Sequence, residues 1–243
     1  MDEASAVAPR AALVAGGTGA LGSAVVARLL DQGDRVLVPY LVDAEAERLR
    51  AAQPDAVAAG NLRLSRGDIA DPDVMAALLD VARADWGPLW LACSVAGSFA
   101  GGTAVADLDD LFTLEDQLRT NLRTAFVVAR EGLRHMGPDG GRVVLVASRT
   151  VWRPAAGQAA YSASKAGVVA LVETLAEELR GTGRTANAVV PKVIDTPGNR
   201  AAMPDADGSR WVPPAAIAEV VAWLASRASW PVSGASIPVF GDS

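Results

Sequence analysis

The chain has 243 residues, 51% of them hydrophobic, and a formal net charge of −6. That acidic balance argues against nucleic acid or an anionic membrane as partner. The lone Cys93 excludes an intramolecular disulfide, and the lone His135 leaves too few ligands for an ordinary zinc site. The first residues carry no apolar core of a signal peptide, and no run reaches the ~18 apolar residues of a membrane span. The expectation is a soluble, cytoplasmic, globular protein.

Residues 1–9 read as a short disordered lead and residues 10–243 as a single domain. Residues 10–15 (RAALVA) are a compact apolar run, a predicted strand. Gly16 to Gly22 (GGTGALG) follow, then a stretch at helical period (SAVVARLLDQG). A second strand is predicted over 35–40, a charged helix over 43–52 and a third strand over 62–65. Asp71 as N-cap and Pro72 at the first helical position open the next helix. Residues 89–94 form the fourth strand, and a loop rich in Gly and Ala covers 96–103. A long helix is predicted over about 114–136, a turn over 138–141 and the fifth strand over 142–147. A helix over about 158–180 leads to the sixth strand, 185–190. Residues 195–209 read as a long irregular segment, 213–226 as a helix and 236–240 as the last strand. Strands alternate with helices and most are continuously apolar. That predicts an α/β Rossmann fold: one doubly wound parallel sheet of about seven strands with helices on both faces.

The spacing Gly17-x-Gly19-x-x-Gly22 lies at the first strand–helix junction. There it would gather backbone N–H groups and a helix N-terminus at one point, which suits a pyrophosphate; a purely structural turn is the alternative. The end of the second strand, where ribose specificity is set, carries Tyr40, with Asp43 three residues on. No Arg or Lys occupies the glycine loop, so the reading leans slightly to NAD(H), although Tyr40 could simply cap the strand. Asp68, after the third strand, is either an acceptor for the adenine amino group or a turn residue. Asn121 interrupts a helical pattern, so it is either exposed and idle or breaks the helix to hold a water. His135 reads as a solvated helix-end residue, and Cys93 as a buried strand residue.

Ser148 closes the fifth strand. Tyr161, one of only two tyrosines, follows thirteen residues later, and Lys165 four after that. On a helix these last two would point the same way. Residues 98–103, 149–158 and 195–211 are expected to line the pocket beside them.

Taken together, the glycine loop, Asp68-Ile69, Ala96-Gly97, Asn121, Ser148, Tyr161-x-x-x-Lys165 and Pro191 to Thr196 resemble the short-chain dehydrogenases/reductases, over residues 11–240. The resemblance implies hydride transfer between NAD(H) or NADP(H) and a carbonyl or alcohol carbon of a small molecule. It implies Tyr161 as general acid in reduction and base in oxidation, and Ser148 on the substrate oxygen. Lys165 would hold the nicotinamide ribose, and Asn121 would support a water that relays protons. Implied cofactor contacts are Gly16, Thr18, Gly19, Ala20, Leu21, Gly22, Tyr40, Asp68, Ile69, Ala96, Gly97, Pro191, Val193, Ile194 and Thr196. A homo-dimer or homo-tetramer is implied too, and the apolar run 168–172 is compatible with either an assembly face or core packing. An unperturbed phenol titrates near ~10, and an adjacent ammonium with a cationic nicotinamide would lower that toward working pH.

Three departures stand out. The glycine spacing matches longer, atypical members of the family. Ser94-Val95 stands in place of the usual Asn-Asn, and Lys192 in place of the usual Gly. Within the family, GGTGALGS, the segments 95–97 and 100–102, and 195–204 are similar to the dihydropteridine reductase branch, which lacks the catalytic serine. A pteridine reductase is therefore the alternative to a carbonyl reductase, and a catalytically silent dinucleotide-binding protein is a third reading.

Overall fold

The computed structural model describes residues 9–241. Of the expected lead only Pro9 falls among them. The apolar runs become strands β1 (Ala11–Ala15), β2 (Arg35–Tyr40), β3 (Leu62–Arg66), β4 (Leu89–Ser94), β5 (Gly141–Val146), β6 (Arg184–Pro191) and β7 (Ser236–Val239). Every pairing between them is parallel, in the order β3-β2-β1-β4-β5-β6-β7. All residues of β1, β4 and β5 are buried, as strands covered on both faces must be. Successive side chains of β1 divide between two cores: Ala11, Leu13 and Ala15 face one, Ala12 and Val14 the other.

The helices are α1 (Ala20–Asp31), α2 (Asp43–Ala52), α3 (Pro54–Ala58), α4 (Pro72–Trp86), α5 (Phe112–Gln117), α6 (Thr124–His135), α7 (Ala159–Glu178), α8 (Pro197–Ala202) and α9 (Pro214–Ala225). Residues of α4, α6 and α7 fill the first core, and residues of α1 and α9 the second. Asp71 caps α4 as expected, accepting from the N–H groups of Asp73 at 2.9 Å and Val74 at 3.3 Å. The chain runs outward from β1 in both directions, so the crevice between β1 and β4 at their carboxyl ends is the topological switch point, where α/β sheets bind ligands.

Four local expectations are corrected. The long helix over 114–136 is broken: a π-turn, Leu118–Arg123, separates α5 from α6. The segment 195–209 is not wholly irregular, because Thr196 caps α8 and Pro197 occupies its first position. The short helix α3, opened by Pro54, was not anticipated. His135 is buried, not solvated, its ring held between the carbonyl of Glu131 at 2.6 Å and Asp80 at 3.2 Å. Val168 and Val172 pack in the first core.

Helix α6 lies so close on β4 that a Cβ added at Gly132 would fall 2.3 Å from the Cβ of Ala92. In an open helix Gly→Ala gains up to ~1 kcal/mol, whereas overpacking a tight interface costs ~1–3 kcal/mol. Gly132→Ala should therefore lower stability by about 1–2 kcal/mol, seen as a lower urea midpoint at unchanged slope. An unchanged or higher midpoint would mean that α6 can rise off the sheet without cost.

Candidate active site

The turn after β1 is shaped by its glycines. Gly16 has φ +81°, and a Cβ there would sit 2.6 Å from the Ala96 nitrogen. At Gly22 a Cβ would sit 2.0 Å from the Gly16 carbonyl oxygen, so only glycine lets α1 approach the turn this closely. Gly19 is the N-cap of α1 and makes no side-chain cap bond. The first N–H groups of α1 are thus left for a ligand, and the cradle suits a pyrophosphate.

At the far end of this turn the Thr18 hydroxyl donates to Glu45 of α2 at 2.9 Å, a contact that sequence reasoning missed. Nor is positive charge missing beside Tyr40. The Arg50 guanidinium lies 5.5 Å from its ring, and Arg66 is its register partner on β3. Each arginine is held by a carboxylate: Arg50 by Glu47 at 2.5 Å and Arg66 by Asp43 at 2.9 Å. Asp68 accepts from the Ala70 N–H at 2.9 Å and pairs with Arg119. It lines a groove of about 1010 Å³ between α4 and α6 that none of Ser148, Tyr161 and Lys165 lines.

The loop after β4 is fastened by Asn121. Its Oδ1 accepts from the Ser98 N–H at 3.1 Å, and its Nδ2 lies 3.2 Å from the Ser98 carbonyl and 3.0 Å from the Ser164 hydroxyl on α7. Gln117, one turn earlier, donates to the Ser98 hydroxyl at 2.9 Å and accepts from the Ala100 N–H at 3.3 Å. A π-turn interrupts the helix at Asn121, and the exposed, idle reading falls because the side chain is buried. The buried side chain, however, braces a loop, and both its N–H bonds face protein acceptors. Gly97 passes directly over this point: a Cβ there would lie 2.6 Å from Asn121 Oδ1 and 3.0 Å from Lys165 Nζ.

Ser148 follows the end of β5 in an extended conformation, and its hydroxyl accepts from the Thr150 N–H at 3.4 Å. Thr150 in turn meets Ser162 of α7 at 2.7 Å, drawing the loop onto the helix that carries Tyr161. The half-buried Tyr161 ring meets Phe99 edge-on, with centroids 5.0 Å apart. Burial raises its phenol above the ordinary 10.0, and a hydrogen bond with Ser148 opposes that rise. The Lys165 ammonium donates to the Val146 carbonyl at 3.0 Å, and burial lowers it to about 8.

One cavity of about 520 Å³ brings Ser148, Tyr161 and Lys165 together with Leu21, Gly97, Pro191, Val193 and Ile194. From the loops expected to line it, Ser98, Phe99, Arg149, Arg153, Gln158, Asn199 and Met203 do so, whereas residues 205–211 do not. Thr18, Tyr40 and Asp68 lie outside this cavity. Thr196 serves as the cap of α8, accepting from the Asn199 N–H at 3.1 Å.

Residues 10–207 match the short chain dehydrogenase family. The chain is similar to the 3-oxoacyl-(acyl-carrier-protein) reductase MabA of Mycobacterium tuberculosis. The two are 31% identical over 241 residues, spanning 96% of this chain and 92% of that protein. The cis-4-hydroxycyclohexanecarboxylate dehydrogenase of Sinomonas cyclohexanicum is 30% identical, over 97% of each chain. Among solved structures, a blue fluorescent protein from a metagenomic library in complex with NADPH superposes with a TM-score of 0.85. It is 30% identical and is covered to 97% by 96% of this chain.

Lys165 gives a stability test. Burial holds its ammonium at about 8 in the fold, below the ordinary 10.5. A lysine depressed in the folded state makes wild-type stability rise as pH increases from about 8 to 10.5, because the unfolded chain binds the extra proton. Lys165→Met should remove that rise and, at pH 7, gain up to ~3 kcal/mol in urea unfolding. A variant less stable than wild type at pH 7 would show that the bond to Val146 outweighs the burial.

Proposed function

The chain belongs to the short-chain dehydrogenase/reductase family and is an NAD(P)-dependent oxidoreductase; on that footing we propose that it interconverts a carbonyl and an alcohol of a small molecule in the cavity beside Tyr161. The observation that carries this reading is the single cavity whose wall brings Ser148, Tyr161 and the buried Lys165 together. A nicotinamide bound there supplies the hydride in reduction and takes it up in oxidation.

In reduction the Tyr161 phenol gives its proton to the carbonyl oxygen, while the Ser148 hydroxyl donates to that same oxygen and fixes its place. Burial keeps the phenol protonated at neutral pH, so the donor is loaded before substrate arrives. Below about pH 8 the Lys165 ammonium is charged and stabilises the phenolate left behind. Asn121 and Gln117 hold the 97–100 loop against α7, which keeps the cavity wall in register with Tyr161. The glycine turn Gly16 to Gly22 takes the pyrophosphate, and residues 10–241 act as one catalytic unit. A pteridine substrate, suggested by the loops 95–102 and 195–204, has no comparable support. Ser148, which the dihydropteridine reductases lack, lines the same cavity as Tyr161.

For the dinucleotide we favour NAD(H). Glu45 reaches the glycine turn through Thr18 and would repel a 2′-phosphate there, and the nearby Arg50 and Arg66 are already paired. Wild type should then use NADH better than NADPH, and Glu45→Gln should shrink the ratio of kcat/KM values by roughly tenfold. Preference of wild type for NADPH would overturn the choice. With any ketone that wild type reduces, Tyr161→Phe should lower kcat by roughly 10²–10⁴-fold while dinucleotide affinity survives. Undiminished turnover would sink the proton-donor role.

A further inference from the structure

Arg28, Arg63, Arg119, Arg180 and Arg200 each hold a carboxylate. The cavity beside Tyr161 has no such pairing among the described residues. Arg149, Arg153 and Lys192 line it, no Asp or Glu does, and among the described residues none of these three cations has an ion pair. The carboxylate nearest in sequence, Asp195, is turned away into a two-point bond with Arg200 at 2.6 and 2.8 Å.

Two of the three cations are placed by the backbone that places Ser148. The Val151 N–H donates to the Ser148 carbonyl at 3.1 Å, and the Arg153 N–H to the Arg149 carbonyl at 3.0 Å. That single turn brings residues four apart to one side, and both arginines line the wall that Ser148 also lines. The pyrophosphate cradle is on another element, the turn between β1 and α1, so the cofactor's own phosphates do not account for Arg149 and Arg153. Like charges kept together without counterions favour a bound anion, and the planar guanidinium fork matches a carboxylate or phosphate.

We propose that the substrate is a carbonyl compound bearing an oxyanion group, carboxylate or phosphate, which Arg149 and Arg153 bind while its carbonyl oxygen meets Ser148 and Tyr161. The inference rests on the oxidoreductase reading and names the substrate class of the same cavity. Lys192, half-buried on the segment after β6, adds to the positive field without being required as a contact. Arg149 and Arg153 are specificity residues: they discriminate among substrates and take no part in proton or hydride movement.

The test uses matched pairs: pyruvate, acetoacetate and levulinate against their methyl esters, and dihydroxyacetone phosphate against dihydroxyacetone. Each is assayed with NADH and with NADPH. At least one charged member should exceed its neutral partner in kcat/KM by roughly 10- to 100-fold, the size of one or two charge-assisted hydrogen bonds. The carboxylate and phosphate arms identify which oxyanion is taken. In Arg149→Gln/Arg153→Gln the ratio should collapse through KM, with dinucleotide affinity kept. Arg149→Lys/Arg153→Lys should restore much of it, which a purely structural role of the loop would not do. Neutral partners used equally well by wild type, or a preference that survives in the Gln pair, would overturn the proposal. Calorimetric titration of the same compounds into Tyr161→Phe saturated with reduced dinucleotide separates the two readings. If nothing is turned over but the charged members still bind more tightly, and lose that advantage in the Gln pair, the anion site stands and the oxidoreductase reading falls. If neutral ketones are reduced and no charged member binds more tightly, the anion site alone falls.

Discussion

The ammonium of Lys165 is buried against a single carbonyl, and much of the surrounding architecture follows from that placement. Among the described residues it has no carboxylate partner, and Val146 accepts its hydrogen bond at 3.0 Å. The carbonyl belongs to the carboxyl edge of the sheet, where the register of β5 with β4 ends at Leu145, one residue earlier. Above the ammonium there is room only for backbone, and glycine at position 97 supplies it. A cation in this setting works against stability near neutral pH. Its presence on α7 against an otherwise closely packed sheet is the kind of local inconsistency that marks a functional position.

The Asn121 brace is the second consequence. A loop that must pass within contact of Lys165 needs fixed coordinates, and the π-turn supplies them by turning one buried amide toward Ser98 and Ser164 at once. The sequence showed that an Asn in LRTNLRTAF needed a reason, but not which reason. A π-turn inserts one residue into the helical phase without changing propensity, and the partners of Asn121 lie 23 and 43 residues away. The strands were easier, because an apolar run between turn signals can only be buried, and the alternation of β1 between two cores follows from the pleat alone. Helix α8 was missed for a different reason. Thr196-Pro197 is an N-cap followed by a first-position proline, yet the Gly and Asn behind it weaken helix propensity, and the segment read as irregular. His135 was misplaced because a residue near a helix end reads as solvated, while its contact with Asp80 is set by how α6 lies on α4.

The corner around Tyr40 shows how charge can be present and still be silent. Counting only the glycine loop suggested a lack of positive charge, but Arg50 and Arg66 flank Tyr40 and are each matched by a carboxylate. The Glu47–Arg50 pair is legible from its i,i+3 spacing on α2. The bond from Thr18 to Glu45 is not, because it depends on how α2 leans toward the turn after β1. What distinguishes this corner is therefore its one carboxylate joined to the cofactor turn, and local net charge decides nothing there.

The chain as a whole is acidic, with a net charge of −6, yet the cavity wall carries unpaired cations. These facts do not compete, because at physiological salt the screening length is ~8 Å and distant surface carboxylates contribute little inside a concave site. The field there is set by Arg149, Arg153, Lys192 and Lys165. Burial lowers Lys165 to about 8. An oxyanion held on the two arginines would favour the charged form of Lys165, and by reciprocity a protonated Lys165 would favour the oxyanion. In the proposed reduction the same ammonium would stabilise a phenolate at Tyr161. Substrate charge, the lysine proton and the readiness of the phenol to release its own proton are then three faces of one electrostatic balance. That balance is strongest on the acid side of the lysine's titration, where reduction also needs the phenol protonated.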